Sequence, residues 1–290
     1  MYPTSFDYYR PKNLKEAITL LKKHKDAKLL AGGHSLLPAM KLRVSSPSAL
    51  IDIARIKGLD AIEASKTGIK IGGMTTHASV ESSKDVLELC PVLSETAGHI
   101  GDIQVRNRGT LGGSLAHADP AADYPTLMLA LDADIVATGA KGKRKIAASK
   151  FFVDLFTTGL KAGEVLTSVS VPAMKAGQGA CYLKHRHPAS SYAVVGVAAF
   201  VTLKNGVAKD VRLAIGGVTS IPVLVKSIGA SLSGQAPTAS AIAEACESVP
   251  EALEYPLGDI YASGEYRTHL ATVLSRRALT EAFARAKKQK

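Results

Sequence analysis

The hydrophobic pattern at the amino-terminal end predicts a small unit of one helix and two strands. Apolar side chains recur at helical spacing after Asn13, which has a side chain suited to an N-cap. Glu16 follows three residues later, as in a capping box, and the helix is predicted to end near His24. Short apolar runs predict strands over 27–30 and 50–53, and the first of these leads into a glycine-rich turn.

A second mixed pattern of strands and helices follows. Thr75 or Thr76 is predicted to cap a helix that begins near Ala78. The segment 101–118 is predicted to be a long irregular loop, because it is rich in glycine and polar residues. The other predicted elements are strands over 69–71, 134–138 and 165–171 and helices over 92–100 and 120–131.

Beyond a linker over 174–179, the pattern changes to longer β segments. Apolar runs over 192–201 and 211–215 flank the turn dipeptide Asn205-Gly206, so they are predicted to pair as a hairpin. Helical stretches are predicted to begin at about residues 223, 238 and 266. The last part of the chain is therefore predicted to be an α+β unit.

The composition of the 290-residue chain is typical of a folded globular protein, with 46% hydrophobic and 21% charged residues. No apolar run approaches the roughly 20 residues that span a bilayer, and the first residues lack the pattern of a signal peptide. We therefore expect no membrane insertion and a cytoplasmic location. The three cysteines are far apart, which favours buried thiols over a disulfide, a zinc site or an iron–sulfur site.

The net charge of +11 raises the question of nucleic-acid binding. Basic residues are dense only at 141–145 and 287–290, and no aromatic residues or nucleic-acid-binding motif accompany either cluster. A solvated turn and a solvated helix end are predicted there, and no nucleic-acid partner is expected. The remaining charge favours an acidic protein partner or a bound pyrophosphate.

Two glycine-rich segments suggest a ligand. The first glycine segment is Ala31 to Ser35 (AGGHS), and the second glycine segment is Thr110 to Ser114 (TLGGS). Consecutive glycines let backbone N–H groups approach phosphate oxygens, and the hydroxyl side chains add donors. The pair predicts either a pyrophosphate held from both sides or two structural turns, and the spacing leaves both open. Because GxGxxG and GxxxxGKS/T motifs are absent, a Rossmann site and a P-loop are disfavoured.

The residues around these segments resemble a known family. AGGHSLLPAMKLR (31–43) and GTLGGSLAHADPAADYP (109–125) closely resemble the two signature segments of the molybdenum-hydroxylase flavoproteins. This family comprises the medium subunits of aerobic carbon monoxide dehydrogenase and its relatives, equivalent to the FAD domain of xanthine dehydrogenase. The resemblance covers nearly the whole chain and includes the segments 6–11, 104–107, 166–169 and 182–184.

The resemblance implies an α+β protein with the FAD-binding fold of vanillyl-alcohol oxidase. An FAD-binding domain over 1–176 would contain two α/β subdomains, about 1–57 and 58–176, and a carboxy-terminal α+β domain would follow over 177–290. The residues implied to contact a non-covalently bound FAD are Ala31, Gly32, Gly33, His34, Ser35, Leu36, Ile100, Thr110, Leu111, Gly112, Gly113, Ser114, Asp123, Leu166, Lys184 and Tyr192.

Some of these positions carry specific expectations from the resemblance. Ser114 stands where the family usually has Asn, so its side-chain contact is shorter. Ile100 stands where the xanthine dehydrogenase branch has an aromatic residue, so a stacking role there is lost. Leu166 and Lys184 match an apolar wall and a cation near the isoalloxazine, and Tyr192 matches a ring near the flavin.

Several polar side chains have more than one interpretation. We interpret His34 as a phosphate contact, with a covalent flavin bond as the alternative. His117, Asp119 and Asp123 are close enough in sequence to suggest a metal site. We instead interpret Asp119, which precedes a proline, as an N-cap and Asp123 as a flavin contact, and we expect no metal.

The resemblance implies electron transfer, without a catalytic acid or base in this chain. The protein would be the FAD-carrying subunit of an oxidoreductase whose large subunit holds a molybdenum cofactor and whose small subunit holds [2Fe-2S] clusters. Electrons would pass from the clusters to FAD and then to an external acceptor, within a dimer of heterotrimers. His185 and His187 are predicted to be surface groups or partner contacts. The alternatives are a free-standing flavin oxidase or reductase, and a binding module that has lost FAD.

Overall fold

The computed structural model describes residues 1–288 as a mixture of helices and strands in three main sheets and one small hairpin. The predicted combination of helices and strands is confirmed. The strands are β1 (Asp7–Tyr9), β2 (Lys28–Leu30), β3 (Ala49–Asp52), β4 (Ile62–Ser65), β5 (Gly68–Gly72), β6 (Asp134–Gly139), β7 (Gly142–Ala147), β8 (Phe152–Asp154), β9 (Thr157–Thr158), β10 (Val165–Pro172), β11 (Gln178–Arg186), β12 (Ala193–Lys204), β13 (Val207–Gly216) and β14 (Val223–Leu224).

Short helices fill the first half of the chain, and one long helix ends it. The α-helices are α1 (Leu14–Lys23), α2 (Leu36–Lys41), α3 (His77–Ser82), α4 (Lys84–Leu89), α5 (Pro91–Gly98), α6 (Ile103–Arg106), α7 (Leu111–His117), α8 (Asp123–Ala130), α9 (Lys226–Leu232), α10 (Ala239–Ala245) and α11 (Gly264–Lys288). None of the helices in the described part of the chain combines the length and apolarity needed to cross a bilayer.

The amino-terminal unit is a parallel sheet in the order β1-β3-β2, with α1 packed beside it. Asn13 caps α1 as predicted, because its Oδ1 accepts a 3.0 Å hydrogen bond from the Glu16 N–H. The Glu16 carboxylate accepts a 2.7 Å bond from the Lys12 N–H, one residue before the position that a capping box uses. Ile18 and Ile51 belong to the apolar core between helix and sheet. The two strands predicted here are confirmed as β2 and β3.

The second unit is an antiparallel sheet in the order β4-β5-β10-β6-β7. Helices α3, α4, α5, α7 and α8 contribute to the apolar core that covers this sheet, and buried Ile71, Leu127 and Val169 belong to that core. Thr76 caps α3 as predicted, since its hydroxyl accepts a 3.1 Å hydrogen bond from the Ser79 N–H. The ends of β5 and β10 and the start of α7 meet at the cavity described below.

One prediction for this region is wrong and another is incomplete. The segment 101–118 is not an irregular loop, because it contains α6 and α7, which Asp102 and Thr110 cap at their N-termini. Tertiary packing against neighbouring backbone overrides the weak helix propensity of the glycines. The basic cluster 141–145 is not only a turn, because most of it forms β7, and Lys145 pairs with Asp134 on the adjacent strand.

The carboxy-terminal unit is an antiparallel sheet in the order β11-β12-β13-β14. The predicted hairpin at Asn205-Gly206 is confirmed, and both turn residues have positive φ, as a type I′ turn requires. Helix α8 contacts β12 and β13, and α11 contacts β11 and β12, so the sheet is enclosed between helices. This explains the continuous apolar run in β12, whose residues are buried up to Val201.

The cysteines and the basic tail agree with the sequence-based expectations. Cys90, Cys181 and Cys246 are all buried free thiols, as predicted. Lys287 and Lys288 are exposed at the end of α11, as expected for a solvated helix end. The rest of the basic tail lies outside the described residues.

Candidate functional site

A cavity of about 620 Å³ opens between the amino-terminal unit and the five-stranded unit. Its size is typical of a cofactor-binding pocket. Fourteen of the sixteen residues predicted to contact FAD line it, and the two exceptions are Leu111 and Lys184. The fourteen are Ala31, Gly32, Gly33, His34, Ser35, Leu36, Ile100, Thr110, Gly112, Gly113, Ser114, Asp123, Leu166 and Tyr192.

The first glycine segment is an open turn between β2 and α2. Gly33 has a φ of 78°, in the left-handed region that glycine adopts without strain. In the part of the chain that the structure describes, the backbone N–H groups of Gly33, His34 and Ser35 donate no hydrogen bond. Successive free N–H groups next to a left-handed residue form a concavity that binds anions. Because these residues line the cavity, the first segment can bind an anionic oxygen there.

The side chains of the first segment differ in what they contact. His34 turns back on its own segment, with Nδ1 3.0 Å from the Gly32 carbonyl oxygen. The Ser35 hydroxyl makes no capping bond with α2. Burial and the nearby Asp119 raise the pKa of Tyr192. Tyr192 lies in the loop between β11 and β12 and lines the cavity together with Ser35.

The second glycine segment is the start of α7. Thr110 caps this helix, and its Oγ1 accepts a 3.1 Å hydrogen bond from the Gly113 N–H. The Gly112 N–H donates to the Gly73 carbonyl at 2.9 Å. The Leu111 N–H donates to the Thr75 carbonyl, also at 2.9 Å, while the Leu111 side chain is fully buried in the core. Leu111 is therefore a packing residue. The N–H groups of Leu111, Gly112 and Gly113 are all bonded within the protein, so they are not available to a ligand in the cavity.

The first glycine segment packs at Gly32 against the backbone of residues 108–109, directly before the second segment, and we call this contact region the glycine seam. A Cβ atom added at Gly32 would overlap the Arg108 carbonyl and come within 2.8 Å of the Gly109 Cα. A Cβ atom at Gly112 would come within 2.6 Å of the Gly73 Cα. Residues with side chains cannot replace these glycines without moving backbone. Glycine at position 32 therefore sets how closely the first segment approaches residues 108–109, and glycine at position 112 sets how closely α7 approaches Gly73.

Asp123 is a buried acidic residue on the cavity wall, and Lys184 lies behind it. The Lys184 Nζ is 2.9 Å from the Asp123 carboxylate, and both side chains are almost completely buried. The Tyr182 hydroxyl donates a 2.6 Å hydrogen bond to the same carboxylate. Burial raises the pKa of Asp123, whereas Lys184 and Tyr182 oppose that rise.

The position of Lys184 corrects one expectation from the sequence. Lys184 does not line the cavity, and its ammonium also donates a 2.7 Å hydrogen bond to the Ser191 carbonyl. Its charge is therefore compensated by Asp123 and held away from the cavity wall. Burial lowers the pKa of Lys184, and the Asp123 carboxylate opposes this effect.

Apolar side chains complete the cavity wall. Leu166 is buried at the start of β10, and Ile100 is half-buried beside the core of the five-stranded unit. Both line the cavity, as does Leu36 at the start of α2. The wall thus combines free amides and hydroxyls near the glycine segments with apolar side chains elsewhere, a composition that fits a ligand with both phosphate and aromatic parts.

The residues considered as a metal site do not converge. The His117 ring packs against Phe156, with ring centroids 5.1 Å apart. Burial lowers the pKa of His117, while the nearby Asp119 opposes that effect. Within residues 1–288, no group of three or more His, Cys, Asp or Glu side chains is arranged to hold a metal ion.

The prediction that Asp119 caps the following helix is wrong. Helix α8 begins at Asp123, and Asp119 instead accepts a 2.9 Å hydrogen bond from the Ala121 N–H in the preceding turn. This turn is attached to the carboxy-terminal sheet, because the Ala193 N–H donates to the Ala121 carbonyl at 3.0 Å. The attachment holds residues 119–122 out of helical conformation.

His185 and His187 form a partly exposed cluster with Tyr261 outside the cavity wall. Their ring centroids lie 6.2 Å and 4.8 Å from the Tyr261 ring, respectively. The two histidines therefore both lie beside Tyr261, outside the cavity. A role in binding a partner stays a prediction.

The structure adds cavity-lining residues that the sequence pattern did not indicate, notably His77 and Phe156. His77 is 4% exposed, and burial lowers its pKa to about 4. Phe156 has a positive φ of 52° at the tip of the hairpin formed by β8 and β9. The Thr75-Thr76 capping signal marked the start of α3 but gave no indication that His77 faces a cavity.

Two protein-family models match the chain. A model described as the FAD binding domain in molybdopterin dehydrogenase matches residues 4–174, which is more than half of the chain. A model described as the CO dehydrogenase flavoprotein C-terminal domain matches residues 180–282. The chain belongs to this flavoprotein family. The predicted family and the predicted cofactor, FAD, are confirmed.

Full-length relatives agree with the family assignment. The chain is 37% identical over 288 residues to the carbon monoxide dehydrogenase medium chain of Afipia carboxidovorans, covering 99% of this chain and 100% of that protein. It is also 37% identical over 292 residues to the 6-hydroxypseudooxynicotine dehydrogenase complex subunit alpha of Paenarthrobacter nicotinovorans, covering 100% and 98%. These relatives are dehydrogenase subunits, so the predicted oxidoreductase class is confirmed.

Solved structures of the family have the same fold. The chain superposes with a TM-score of 0.95 on a chain of the carbon monoxide dehydrogenase from Hydrogenophaga pseudoflava, with 39% sequence identity. The superposition covers 98% of this chain and 99% of that chain. The mixed arrangement of helices and strands is therefore that of carbon monoxide dehydrogenase flavoprotein subunits.

Proposed function

We propose that this flavoprotein is the electron-transfer subunit of a molybdenum-dependent hydroxylase or dehydrogenase. It takes electrons from the [2Fe-2S] clusters of a small partner subunit and passes them to an external acceptor. A large partner subunit holds the molybdenum cofactor, and the assembly is a dimer of heterotrimers. The observation that carries this proposal is the cavity with three successive free amides at residues 33–35, in a chain of the flavoprotein family.

The proposed domain organisation follows the three sheets. An FAD-binding domain over 1–176 has the fold of vanillyl-alcohol oxidase, with subdomains of about 1–57 and 58–176, and a carboxy-terminal domain follows over 177–290. The parallel sheet of β1 to β3 supports the first subdomain, and the five-stranded antiparallel sheet supports the second. The four-stranded sheet with α11 supports a separate carboxy-terminal domain.

We propose that the first glycine segment holds the FAD pyrophosphate non-covalently. The amides of Gly33, His34 and Ser35 are available as donors, and a run of such amides suits a phosphate oxygen. His34 is held by its contact with the Gly32 carbonyl, which supports a role within the turn and disfavours a covalent flavin bond. The second segment contributes the start of α7 to the cavity wall, where Gly112 and Gly113 are packed against Gly73 and Thr110.

Asp123 is proposed to accept a hydrogen bond from FAD, with Lys184 as a positioning residue behind it. A buried carboxylate needs a compensating charge, and the Lys184 ammonium and the Tyr182 hydroxyl stabilise its ionised form. Leu166, Ile100 and Tyr192 provide apolar and aromatic contacts on the cavity wall. A bound FAD supplies the redox chemistry, while these residues bind it, orient it and limit its exposure to water.

The substrate of the proposed enzyme is determined outside this chain. Relatives named for carbon monoxide and for 6-hydroxypseudooxynicotine are equally similar to it, at 37% identity over nearly the full length. Similar flavoprotein subunits thus belong to dehydrogenases that are named for unrelated substrates. This supports a role in electron transfer downstream of substrate oxidation.

The proposal is tested by comparing the chain alone with the assembled enzyme. The full chain is loaded with FAD and mixed with candidate substrates without air, and flavin absorbance is followed. We expect no flavin reduction by the chain alone and reduction when the chain is co-purified with its partner subunits, which metal analysis should show to contain molybdenum and iron. Flavin reduction by substrate in the chain alone would support the free-standing oxidase or reductase instead.

Failure to bind FAD would contradict the electron-transfer role itself. A chain that stays colourless and takes up no FAD would support the alternative of a binding module that has lost the cofactor. The cytoplasmic location predicted from the sequence stays a prediction, which cell fractionation would test.

A further inference from the structure

His77 lies next to the glycine seam, although it belongs to neither glycine segment. Its backbone N–H donates a 3.0 Å hydrogen bond to the Gly109 carbonyl, and the adjacent residue Thr76 forms a β-bridge with Thr110. These bonds fix the start of α3 against the residues that precede the second glycine segment. The position of the His77 ring is therefore coupled to the position of that segment.

The His77 ring also explains why Gly109 is glycine. A Cβ atom at Gly109 would lie 2.6 Å from the His77 Nε2, which is too close for any stable contact. On the other side, a Cβ atom added at Gly32 would lie 2.8 Å from the Gly109 Cα. Gly109 thus separates the His77 ring from the first segment by the thickness of one backbone, and the ring lines the cavity at this point.

The two ring nitrogens of His77 have different surroundings. Nδ1 is enclosed, and in the described part of the chain it has no hydrogen-bond partner. The ring packs on one side against Tyr124, with centroids 5.3 Å apart. Because Nδ1 is sealed from the cavity, Nε2 is the nitrogen through which the ring meets the cavity.

The proton of the neutral ring is better placed on Nε2 than on Nδ1. Burial lowers the pKa of His77 to about 4, so the ring is neutral at physiological pH and carries a single N–H. A buried N–H without a partner is less tolerated than a buried acceptor without one. Nε2 therefore carries the hydrogen and can donate it to a ligand in the cavity.

We propose that His77 is an FAD-binding residue whose Nε2–H donates a hydrogen bond to an oxygen of the FAD pyrophosphate beside the glycine seam. This inference rests on the proposed binding of FAD in the cavity and adds a donor outside both glycine segments. The second segment has its first amides bonded within the protein, so a side-chain donor on its side of the cavity complements the free amides of the first segment.

The test uses the full chain, stripped of FAD and titrated with FAD by flavin fluorescence. His77→Leu removes both nitrogens, His77→Gln places an amide nitrogen near the position of Nε2, and His77→Asn places one near the position of Nδ1. We expect His77→Leu and His77→Asn to raise the FAD Kd about tenfold. The FAD Kd of His77→Gln should stay within about threefold of the wild-type value. His24→Leu is the matched control, because His24 also has a buried nitrogen without a partner among the described residues but does not line the cavity.

Two further measurements separate ligand binding from packing. Phosphorus NMR of the bound FAD should show shifted pyrophosphate signals in the Leu and Asn variants, with an unchanged flavin absorbance spectrum. The thermal midpoint of the FAD-free chain reports any purely structural role. The proposal would be overturned if His77→Leu bound FAD as tightly as wild type, or if His77→Gln lost as much FAD affinity as His77→Leu. Unshifted pyrophosphate signals in the His77→Leu and His77→Asn variants would also overturn it. If the wild-type chain itself takes up no FAD, the proposed function fails.

Discussion

The two glycine segments look alike in the sequence but have different structures. The first, AGGHS, is an open turn in which three successive amides have no partner within the described residues. The second, TLGGS, is the capped first turn of α7, and its amides bond to Gly73, Thr75 and Thr110. The first segment therefore has free hydrogen-bond donors, whereas the second lets the backbone of α7 and of Gly73 approach closely.

This difference shows that a pair of glycines can serve two separate purposes in one site. In the first segment, Gly33 adopts the left-handed conformation that turns successive N–H groups into a concavity. In the second, Gly112 is required because another backbone occupies the space where its side chain would be. Substitutions in the two segments should consequently have different effects on folding and on FAD binding.

The largest effect is expected from widening the glycine seam. Gly32→Ala places a methyl group against the Arg108 carbonyl, which is backbone and cannot move aside cheaply. We expect the free energy of unfolding to fall by about 1–3 kcal/mol, as for overpacking, and FAD uptake to be lost. Denaturant unfolding and flavin fluorescence measure the two effects.

Gly98→Ala is the control for the seam. A Cβ atom there meets no backbone and only the Glu81 side chain, with Oε1 at 3.1 Å, and Gly98 is helical, where alanine is favoured. We expect stability and FAD affinity to stay at wild-type values or the stability to rise slightly. Wild-type FAD affinity in Gly32→Ala would show that the seam does not shape the site.

The next largest effect is expected from the conformation of the first segment. Gly33→Ala forces a side chain into the left-handed region, at a cost of about 1–2 kcal/mol, and tends to rotate the free amides. We expect the FAD Kd to rise about tenfold. Gly33→Asn should have a smaller effect, because Asn tolerates this conformation better than Ala does. Equal effects of Ala and Asn on FAD titrations would argue against the amide concavity.

A smaller pair of effects should separate the roles of the two hydroxyl residues. Thr110→Ala removes the cap of α7 and should lower the unfolding free energy of the FAD-free chain by about 1 kcal/mol, whereas Thr110→Ser should preserve it. Ser35 makes no capping bond, so Ser35→Ala should leave that free energy within about 0.5 kcal/mol and weaken FAD binding a few-fold. A loss of stability in Ser35→Ala together with an unchanged stability in Thr110→Ala would contradict the comparison.

The smallest effect is expected at the end of the second segment. Ser114 lines the cavity and stands where the resembled family usually has Asn. Ser114→Asn extends a polar side chain into the cavity, and we expect it to lower the FAD Kd about threefold. Ser114→Ala is the matched control and should change the Kd less. A higher Kd in Ser114→Asn would mean that the local shape has adapted to serine.

Local signals predicted most elements of the fold. Asn13 and Thr76 cap the helices that their side chains predicted, and Asn205-Gly206 forms the predicted hairpin turn. These features depend on residues within a few positions of each other, which is why a linear sequence reveals them. Several elements were missed, and short ones such as β1 and α2 contain too few residues to show a period.

Errors occurred where distant contacts override local preference. Residues 101–118 looked irregular because of their glycines, yet Thr110 and the backbone of Gly73 and Thr75 fix them as the start of a helix. Asp119 looked like a cap, but a bond from Ala193 in the carboxy-terminal unit holds its turn outside the helix. Propensity is a weak prior wherever such tertiary bonds exist.

By itself, the sequence determined the family, the FAD cofactor and the glycine segments, because these depend on residue identities in continuous motifs. Only the tertiary structure decided that the segments differ, that Lys184 lies behind Asp123 and that His77 reaches the cavity beside Gly109. Free amides and compensated charges depend on partners far away in the chain. The hydrogen bonds that satisfy one glycine segment and leave the other open therefore exist only after the chain has folded.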